Sequence, residues 1–319
     1  MTLTRRSLCL SAAAAAALPA WAESKPVRIL VGFPPGGGTD AVARLIAEKL
    51  KDQLGVPVVV ENRPGAGGQI AAQVLKASPP DGATLFLTHD HTISILPLVV
   101  KHPGFAPDQD FVPVAGIASF VNAFALAGGT HLRSFTGYVD WIRTQGGQGA
   151  VGIPAPASTP EFLVRLLGQR YRMDLVAAPY RGAAPLMADM MGNQIPAGIG
   201  SVQDFIENHR AGKIRVVAVL GGKRQAALPD VPTFTELGLK GFEDMPYYGF
   251  YAPRGTPQKA IGTLTAALAK AVAEPHVYAQ LTAMGLSVGY MTPEQLHARE
   301  QAYTQVWRKI IQSSGFVPQ

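Results

Sequence analysis

The sequence predicts an α/β fold arranged as two lobes with a cleft between them. Short apolar strands alternate with amphipathic helices through glycine- and proline-rich loops, a pattern typical of parallel strands connected by helices. The alternation begins again beyond residue 123, and an apolar strand over 247–252 then returns the chain before three closing helices. We therefore expect a discontinuous first lobe, 23–122 with 247–319, and an inserted second lobe, 123–246.

The first lobe is predicted to begin with a buried strand that leads through a glycine loop into an amphipathic helix. Gly55 follows this helix in the position where a left-handed residue ends a helix. A turn at Pro79-Pro80-Asp81-Gly82 separates the second helix from the third strand. The predicted strands of this lobe cover 27–33, 56–60, 84–88 and 111–118, and its predicted helices cover 39–54 and 69–77.

The second lobe repeats the alternation, and three helices close the chain. Met187, Met190 and Met191 recur at helical spacing and are predicted to be core residues. We expect the closing helices to pack on the first lobe. The remaining predicted strands cover 123–126, 149–153, 175–179, 214–220 and 247–252, and the remaining helices cover 135–144, 159–169, 184–191, 201–209, 258–273, 275–284 and 293–313.

The first 22 residues are predicted to be a secretory signal peptide. Arg5-Arg6 form a basic start, residues 8–18 form an alanine-rich apolar segment, and Ala20-Trp21-Ala22 form a small-x-small cleavage site. The apolar segment is about half as long as the roughly 20 residues that span a bilayer. The arginine pair fits both general and twin-arginine export. We therefore expect the mature protein in the periplasm.

The composition argues against nucleic acid as a partner and against disulfide stabilisation. The chain has 28 Lys and Arg against 22 Asp and Glu, only 16% of its residues are charged, and the basic residues form no cluster. Cys9 is the only cysteine and lies within the predicted signal peptide. The mature chain must therefore be stabilised by its apolar core, for which its length suffices.

The stretch Pro34-Pro35-Gly36-Gly37-Gly38-Thr39-Asp40 joins the first predicted strand to the first helix. Glycines at a helix start leave the first-turn N–H groups uncovered, and the positive end of the helix dipole lies at the same place. Such a helix start binds anions, including carboxylates. Three consecutive glycines also allow a ligand to approach the backbone closely. We therefore predict an anion site in this loop.

Two other interpretations of this loop are open. The residues from Gly36 to Ala41 match the G-x-G-x-x-A pattern of a dinucleotide site, with Glu61 near the position of the ribose-binding acid. On that interpretation the protein is a periplasmic α/β enzyme or sensor subunit that uses the loop for a phosphate or a dinucleotide. Alternatively, the glycines serve only a tight strand-to-helix junction that needs positive φ.

Similar helix starts follow strands in the second lobe. Thr159 is predicted to cap a helix, with Pro160 at its first position. The junction Tyr180-Arg181-Gly182 offers an aromatic ring, a cation and a helix start, and Ser201 is predicted to cap a further helix. Each junction alone is an ordinary cap. Together they lie at the carboxyl ends of strands, where sheets of this kind bind ligands.

His89-Asp90-His91 follows the third predicted strand and has three possible interpretations. It is a solvated polar loop, it contacts a ligand carboxylate through imidazole N–H groups, or it binds a metal with a third ligand. No other histidine stands at a ligand spacing nearby. We therefore predict no metal site and include His89 among the candidate ligand-binding residues.

Motifs for catalysis are missing from the sequence. It contains no G-x-S-x-G, no H-E-x-x-H and no cysteine outside the predicted signal peptide. The acidic residues are scattered and form no recognisable catalytic pair. We therefore predict no catalytic residues and no cofactor.

The ordered set of these segments resembles the Bug family, the TctC-type extracytoplasmic solute receptors of tripartite tricarboxylate transporters. The resemblance extends from about Pro26 to Phe316. The segments that carry it are 33–40 with Arg44, 60–68, 81–85, 110–114, 179–182 and 228–238. Single segments of this kind are weak signals, whereas the ordered set at these spacings is specific.

The resemblance implies a type II periplasmic-binding-protein fold, with the ligand in the interlobe cleft and delivery to a membrane permease. It further implies that the loops at 35–40 and at Ser158-Thr159 bind a carboxylate, largely through backbone N–H groups and water. The chain departs from the family pattern in three places. Residues 153–157 read Ile-Pro-Ala-Pro-Ala where glycines are usual, Arg181 replaces a common lysine, and His89-Asp90-His91 is not a general feature.

The expected protein is therefore an exported receptor for a small organic anion, a mono- or dicarboxylate. We expect it to be a monomer. Its expected partners are the permease subunits of a transporter, and nucleic acid is not expected to be a partner. The candidate ligand-binding residues are Phe33, Pro35, Gly36, Gly37, Gly38, Thr39, Asp40, His89, Ser158, Thr159, Tyr180, Arg181, Gly182 and Ser201.

Overall fold

The computed structural model describes residues 25–239 and 245–318, which form two α/β lobes built on separate sheets. The predicted signal peptide, 1–22, lies outside the described residues. The strands are β1 Val27–Val31, β2 Val58–Asn62, β3 Thr84–His89, β4 Phe111–Ser119, β5 Asn122–Ala127, β6 Gln148–Ile153, β7 Asp174–Pro179, β8 Ala197–Ser201, β9 Ile214–Val219, β10 Tyr247–Pro253 and β11 Ser287–Met291.

Helices connect most of these strands. The α-helices are α1 Gly38–Leu54, α2 Gln69–Lys76, α3 Leu96–Val99, α4 Pro107–Asp110, α5 Phe135–Thr144, α6 Thr159–Tyr171, α7 Ala183–Met191, α8 Val202–Arg210, α9 Gln258–Ala273, α10 Pro275–Ala283 and α11 Pro293–Ser313. A 3₁₀ turn at Ala66–Gly68 precedes α2, and a π turn at His91–Ile95 precedes α3.

Both sheets contain parallel and antiparallel strand pairs, whereas the sequence pattern predicted parallel strands. The first has the order β11-β4-β10-β3-β1-β2, and the second has the order β7-β6-β8-β5-β9. Strand β1 is parallel to β2 and β3, and β6 is parallel to β7 and β8. In contrast, β10 is antiparallel to β3 and β4, and β5 is antiparallel to β8 and β9. Strands β5 and β10, the first strands after each crossing between the lobes, are therefore antiparallel to their neighbours.

Apolar side chains pack on both faces of each sheet. In β1, the adjacent residues Ile29 and Leu30 are both fully buried and belong to core clusters on opposite faces. Of the methionines predicted to be core residues, Met187 and Met190 are buried, whereas Met191 is 39% exposed. Among the described residues, no helix combines the length and the apolar character needed to cross a bilayer.

Strands β8 and β11, the short helices α3 and α4 and both turns were not predicted. Strand β8 consists of Ala-Gly-Ile-Gly-Ser, which lacks the run of β-branched and aromatic residues typical of strands. Strand β11 is a half-exposed edge strand whose register is shifted against β4. The π turn begins at His91 and is fully buried, so the interpretation of His89-Asp90-His91 as a solvated loop is wrong.

The two crossings between the lobes lie side by side. The Phe120 N–H donates to the Pro246 carbonyl at 3.0 Å, which joins the outgoing and returning chains. Beyond the outgoing crossing, the Val202 N–H donates to the Val121 carbonyl at 2.9 Å, and the Leu220 N–H donates to the Asn122 carbonyl at 2.8 Å. Paired short crossings of this kind are typical of a hinge between two lobes.

Glu300 of α11 is a buried carboxyl group in the first lobe. Only 5% of the residue is exposed, and Oε2 has no hydrogen-bond partner among the described residues. Burial, and then the neighbouring Asp108, raises the pKa of Glu300 from its ordinary 4.5 to about 8. The native state therefore keeps this proton at a pH where the unfolded chain has lost it.

The free energy of unfolding should consequently fall as the pH rises between the ordinary value of 4.5 and about 8. In this window the native state binds more protons than the unfolded state. Glu300→Gln should remove the contribution of this group, which is at most about 1.4 kcal/mol per pH unit. Urea unfolding across this pH range measures the slope. Glu48→Gln, at a side chain that is 68% exposed, is the matched control and should keep the slope. An unchanged slope in Glu300→Gln would contradict the assignment.

Candidate functional site

A cavity lies between the lobes. Residues from both lobes line it, and they include eight of the predicted site residues: Phe33, Gly37, Gly38, Thr39, His89, Ser158, Thr159 and Ser201. The lining does not include six others: Pro35, Gly36, Asp40, Tyr180, Arg181 and Gly182. The predicted helix starts therefore lie at one cavity, and the other six predicted residues lie outside its lining.

The glycine loop leads directly into α1 at the cavity wall. Gly36 has φ +84°, a left-handed conformation that glycine adopts without strain, and it lies exposed beyond the cavity. Gly37 is the N-cap residue of α1 and offers no capping side chain. The Ala41 N–H is the first to bond back along the helix, to the Gly37 carbonyl at 3.1 Å. The preceding first-turn amides therefore have no acceptor within the helix.

Asp40 holds this loop in place from behind. Its carboxylate accepts hydrogen bonds from the Gly36 N–H at 3.0 Å and from Asn62 Nδ2 at 2.9 Å, and it forms an ion pair with Arg44 at 3.0 Å. Burial opposes ionisation, but the bonds from Arg44, Gly36 and Asn62 outweigh it and lower the pKa of Asp40. Asp40 thus fixes the conformation of the glycine loop and lies outside the cavity lining.

The start of α6 forms the facing wall in the second lobe. The N-cap residue is Ser158 and not Thr159 as predicted, so Pro160 occupies the second helical position. The Ser158 hydroxyl donates to the Ala155 carbonyl at 2.6 Å and does not cap the helix. A Ser-Thr pair offers two possible N-cap residues. The sequence alone does not show which of the two is the last residue before the helix begins.

The junction before α7 serves a contact between the lobes. Gly182 has φ +107°, and a Cβ built on it would lie 2.5 Å from Cδ of Pro34 in the first lobe. Tyr180 donates its hydroxyl to Asp189 at 2.8 Å, and Arg181 is exposed. The aromatic ring and the cation predicted for the site therefore face elsewhere, and Ala183 lines the cavity instead.

His89 forms part of an aromatic wall. Its ring stacks on Phe33 at 4.8 Å and meets the edges of Phe120 at 5.7 Å and Tyr248 at 5.6 Å, between ring centroids. The neighbouring His91 is buried, and its Nδ1 has no hydrogen-bond partner among the described residues. Burial, and then the proximity of His89, lowers the pKa of His91 to about 4. His91 is therefore a neutral imidazole at neutral pH.

Partial positive charge reaches the cavity from the backbone. Among the described residues that line it there is no lysine and no arginine. The starts of α1, α6, α7 and α8 all reach the lining. Helix starts supply partial positive charge and free N–H donors. The described residues also contain no group of three His, Cys, Asp or Glu side chains arranged to hold a metal ion.

Buried hydrogen bonds join the lobes beside the cavity. Tyr248 of β10 pairs its hydroxyl with the Thr39 hydroxyl at 3.1 Å and accepts a bond from Gln203 Nε2 at 2.8 Å. The Gly38 N–H donates to Oδ1 of Asp204, in the first turn of α8, at 2.8 Å. These contacts draw α1 and α8 together across the cleft.

Several residues that line the cavity were not predicted from the sequence. Phe120 and Asn122 lie at the outgoing crossing, and Asp90 and His91 lie next to the predicted His89. Asp204 stands three positions after the predicted cap Ser201, where an acidic residue is typical of a helix start. For Phe120 and Asn122 the available signal was a position next to a crossing between the lobes. For Asp204 it was a position in the first turn of a helix. Neither signal identifies a ligand contact by itself.

Two α/β lobes joined by paired crossings, with helix starts converging on the cleft, define a two-lobed solute-binding protein. The chain belongs to the tripartite tricarboxylate transporter family receptors, TctC, whose family profile matches residues 42–316. This family consists of solute receptors and not enzymes, which confirms the predicted resemblance and does not favour the enzyme or sensor alternative.

Similar proteins include members of the Bug group. Protein BugT of Bordetella pertussis is 30% identical over 297 residues, which cover 92% of this chain and 90% of BugT. The solved structure of the periplasmic binding protein BugD has a TM-score of 0.88 and is 29% identical, with 93% of this chain and 99% of BugD covered. R. palustris Rpa4515, solved with adipate, also has a TM-score of 0.88 and is 28% identical, with 94% and 100% covered. Members of this family are periplasmic binding proteins.

Replacing Gly38 by alanine should hold the lobes apart. The added Cβ would lie 2.5 Å from Gln203 Cγ and 2.7 Å from Asp204 Oδ1, so either the helix or the facing lobe must move. Overpacking of this kind costs about 1–3 kcal/mol. We expect a larger radius of gyration in small-angle X-ray scattering.

Gly37→Ala is the matched control, because its Cβ would meet only the Pro34 carbonyl oxygen, at 3.7 Å. An equal radius of gyration for Gly38→Ala and the unsubstituted protein would contradict the close packing of α1 against α8.

Proposed function

We propose that the protein captures a small organic mono- or dicarboxylate in the interlobe cavity and delivers it to the membrane permease of a tripartite tricarboxylate-type transporter. The observation that carries the proposal is the convergence of four helix starts on a cavity whose described lining contains no lysine or arginine. Adipate, the ligand in the Rpa4515 structure, supports a carboxylate as the solute class. The signal peptide at 1–22 would export the chain to the periplasm, where it would act as a monomer without a metal or cofactor.

The backbone amides at α1 and α6 would bind the carboxylate. Gly37 and Thr39 would approach it from the first lobe, beside Gly38, whose own N–H is bonded to Asp204, and Ser158 and Thr159 would approach it from the second lobe. A single exposed helix start contributes roughly 0.3–1 kcal/mol to the binding of an anion. A dissociation constant near 1 µM corresponds to about 8 kcal/mol, so several starts and apolar burial must act together.

The other predicted site residues would support this arrangement. Asp40 fixes the glycine loop through Gly36, and Pro35 lies in the exposed turn ahead of it. Gly182 allows Pro34 to approach the second lobe, next to the exposed Arg181 and the Tyr180 junction. His89, Phe33 and Ser201 would contact the remainder of the ligand from the cavity walls.

Binding would close the two lobes about their crossings. We propose that 23–122 with 247–319 moves as one lobe and 123–246 as the other. A ligand shifts such an equilibrium only if it contacts the closed state better than the open state. A solute that contacts the starts of α1 and α6 at once meets this condition, because the two starts belong to different lobes.

Replacing Gly37 by valine should abolish carboxylate binding without unfolding the protein. Gly37 has φ −84° and ψ 169°, an extended conformation that valine adopts readily, whereas its γ-methyl groups would enter the cavity. We expect at least about a tenfold loss of affinity, or about 1.4 kcal/mol, in calorimetric titrations with a panel of aliphatic and aromatic acids.

Gly222→Val is the control, because Gly222 is exposed and its Cβ position has no neighbour within 4 Å. Unaltered binding by Gly37→Val would show that the anion binds elsewhere. Conversion of any acid to a product would favour an enzyme over a receptor.

Chelator treatment should leave carboxylate affinity unchanged. The imidazole rings of His89 and His91 lie 6.5 Å apart between centroids, and no third ligand lies with them in the described part of the chain. Titrations before and after dialysis against EDTA measure the effect. A loss of affinity that returns with added zinc would instead assign a metal site to these histidines.

A further inference from the structure

Asp204 is a carboxylate in the wall of the proposed binding cavity. It belongs to the second lobe, yet its Oδ1 accepts a hydrogen bond from the Gly38 N–H of the first lobe at 2.8 Å. A second bond comes from the backbone of Ser201, at the start of its own helix. Asp204 therefore occupies one of the α1 amides that could otherwise bind a ligand anion, and it places a fixed negative group beside the ligand.

The formal charges of the cavity are negative. Its lining contains the carboxylates of Asp90 and Asp204 and, among the described residues, no lysine or arginine. Asp90 is satisfied within the first lobe, because Oδ2 accepts the Tyr303 hydroxyl at 3.0 Å and Oδ1 lies 3.3 Å from His89 Nδ1. His91 lines the same cavity as a buried imidazole with an unpartnered Nδ1. Asp204 is thus the carboxylate that faces both lobes at the cavity.

The environment of Asp204 compensates its charge incompletely. Burial raises the pKa of Asp204 to about 6, although the Gly38 N–H, His89 and the Ser201 backbone act in the opposite direction. The group is still largely ionised at neutral pH. A second carboxylate placed near it would add repulsion in a medium of low dielectric constant, whereas a cation would supply the missing compensation.

The neighbouring walls also suit a cation. Phe33 and Phe120 line the cavity on either side of His89. Aromatic faces attract ammonium groups through their quadrupole, and the attraction is larger where water is excluded. An alkyl chain that carries a charged nitrogen would therefore find both apolar contact and an anionic partner.

We propose that Asp204 determines specificity by accepting a hydrogen bond from a positively charged nitrogen of the ligand, so that the solute is an aminocarboxylate and not a dicarboxylate. The inference rests on the proposed function, since the carboxylate of the same solute binds the helix starts. One end of the ligand would be recognised by backbone amides and the other by a side chain.

Matched acids test the inference by calorimetry at neutral pH. The pairs are γ-aminobutyrate with succinate and ε-aminocaproate with adipate. Caproate serves as the acid with no second charge. We expect at least one amino acid to bind about tenfold or more tightly than its dicarboxylate partner. Asp204→Asn should remove this preference, because the amide keeps the size and the acceptor for Gly38 but loses the charge.

Two controls separate specificity from folding. Asp174→Asn, at an exposed carboxylate of the same lobe, should leave all affinities unchanged. Urea unfolding of Asp204→Asn checks that the fold is retained, and Asp204→Glu should keep part of the preference.

The possible results distinguish this inference from the proposed function. If dicarboxylates or caproate bind and no amino acid binds more tightly, the receptor function stands and the role of Asp204 is wrong. If Asp204→Asn weakens both classes by the same factor, the residue is structural and the inference is likewise wrong. If none of the acids binds, the proposed function falls together with the inference.

Discussion

The structure depends on how a buried anion is balanced where the described cavity lining offers histidines but no lysine or arginine. At the cavity, the Asp204 carboxylate is held by the Gly38 N–H at 2.8 Å, and the described lining offers no lysine or arginine. Backbone amides therefore supply partial positive charge that balances the anion. Such amides are free at helix starts. This requirement explains why the strand-to-helix junctions of both lobes are directed at one space. It also explains the glycine at 38, where any Cβ would collide with α8.

The interlobe contacts follow from the same arrangement. Pro34 approaches Gly182 closely at the rim, while Thr39, Tyr248 and Gln203 form a buried hydrogen-bonded chain at the base of the cleft. The Gln203–Tyr248 and Gly182–Pro34 contacts join the two lobes, whereas Thr39 and Tyr248 both belong to the first lobe. This arrangement places lining residues of both lobes around one cavity. Exclusion of water strengthens every dipole that points into the cavity.

Local signals predicted the fold and eight of the residues that line the cavity. The start of α1 was identified because three glycines and a following helix pattern are adjacent in the sequence, and helix starts need no distant partner to be recognised. Strand β8 was missed because its small residues gain their place through packing; a Cβ on Gly198, for example, would lie 2.6 Å from Met190 Sδ. The buried π turn from His91 and the role of Asp204 were missed because both depend on contacts between separate segments.

In a site of this kind, backbone amides determine the affinity for the carboxylate, and side chains determine which solute is selected. Amides at helix starts are independent of side-chain identity, so a loop can keep binding a carboxylate while the residues around it change. Selectivity then falls to the few side chains that reach the cavity from other elements, here Asp204, His89 and Phe120. A single carboxylate among them reverses the charge preferred at one end of the ligand and leaves the helix starts unaltered. Proteins of about 30% identity can therefore share a fold and still differ in the solute they take.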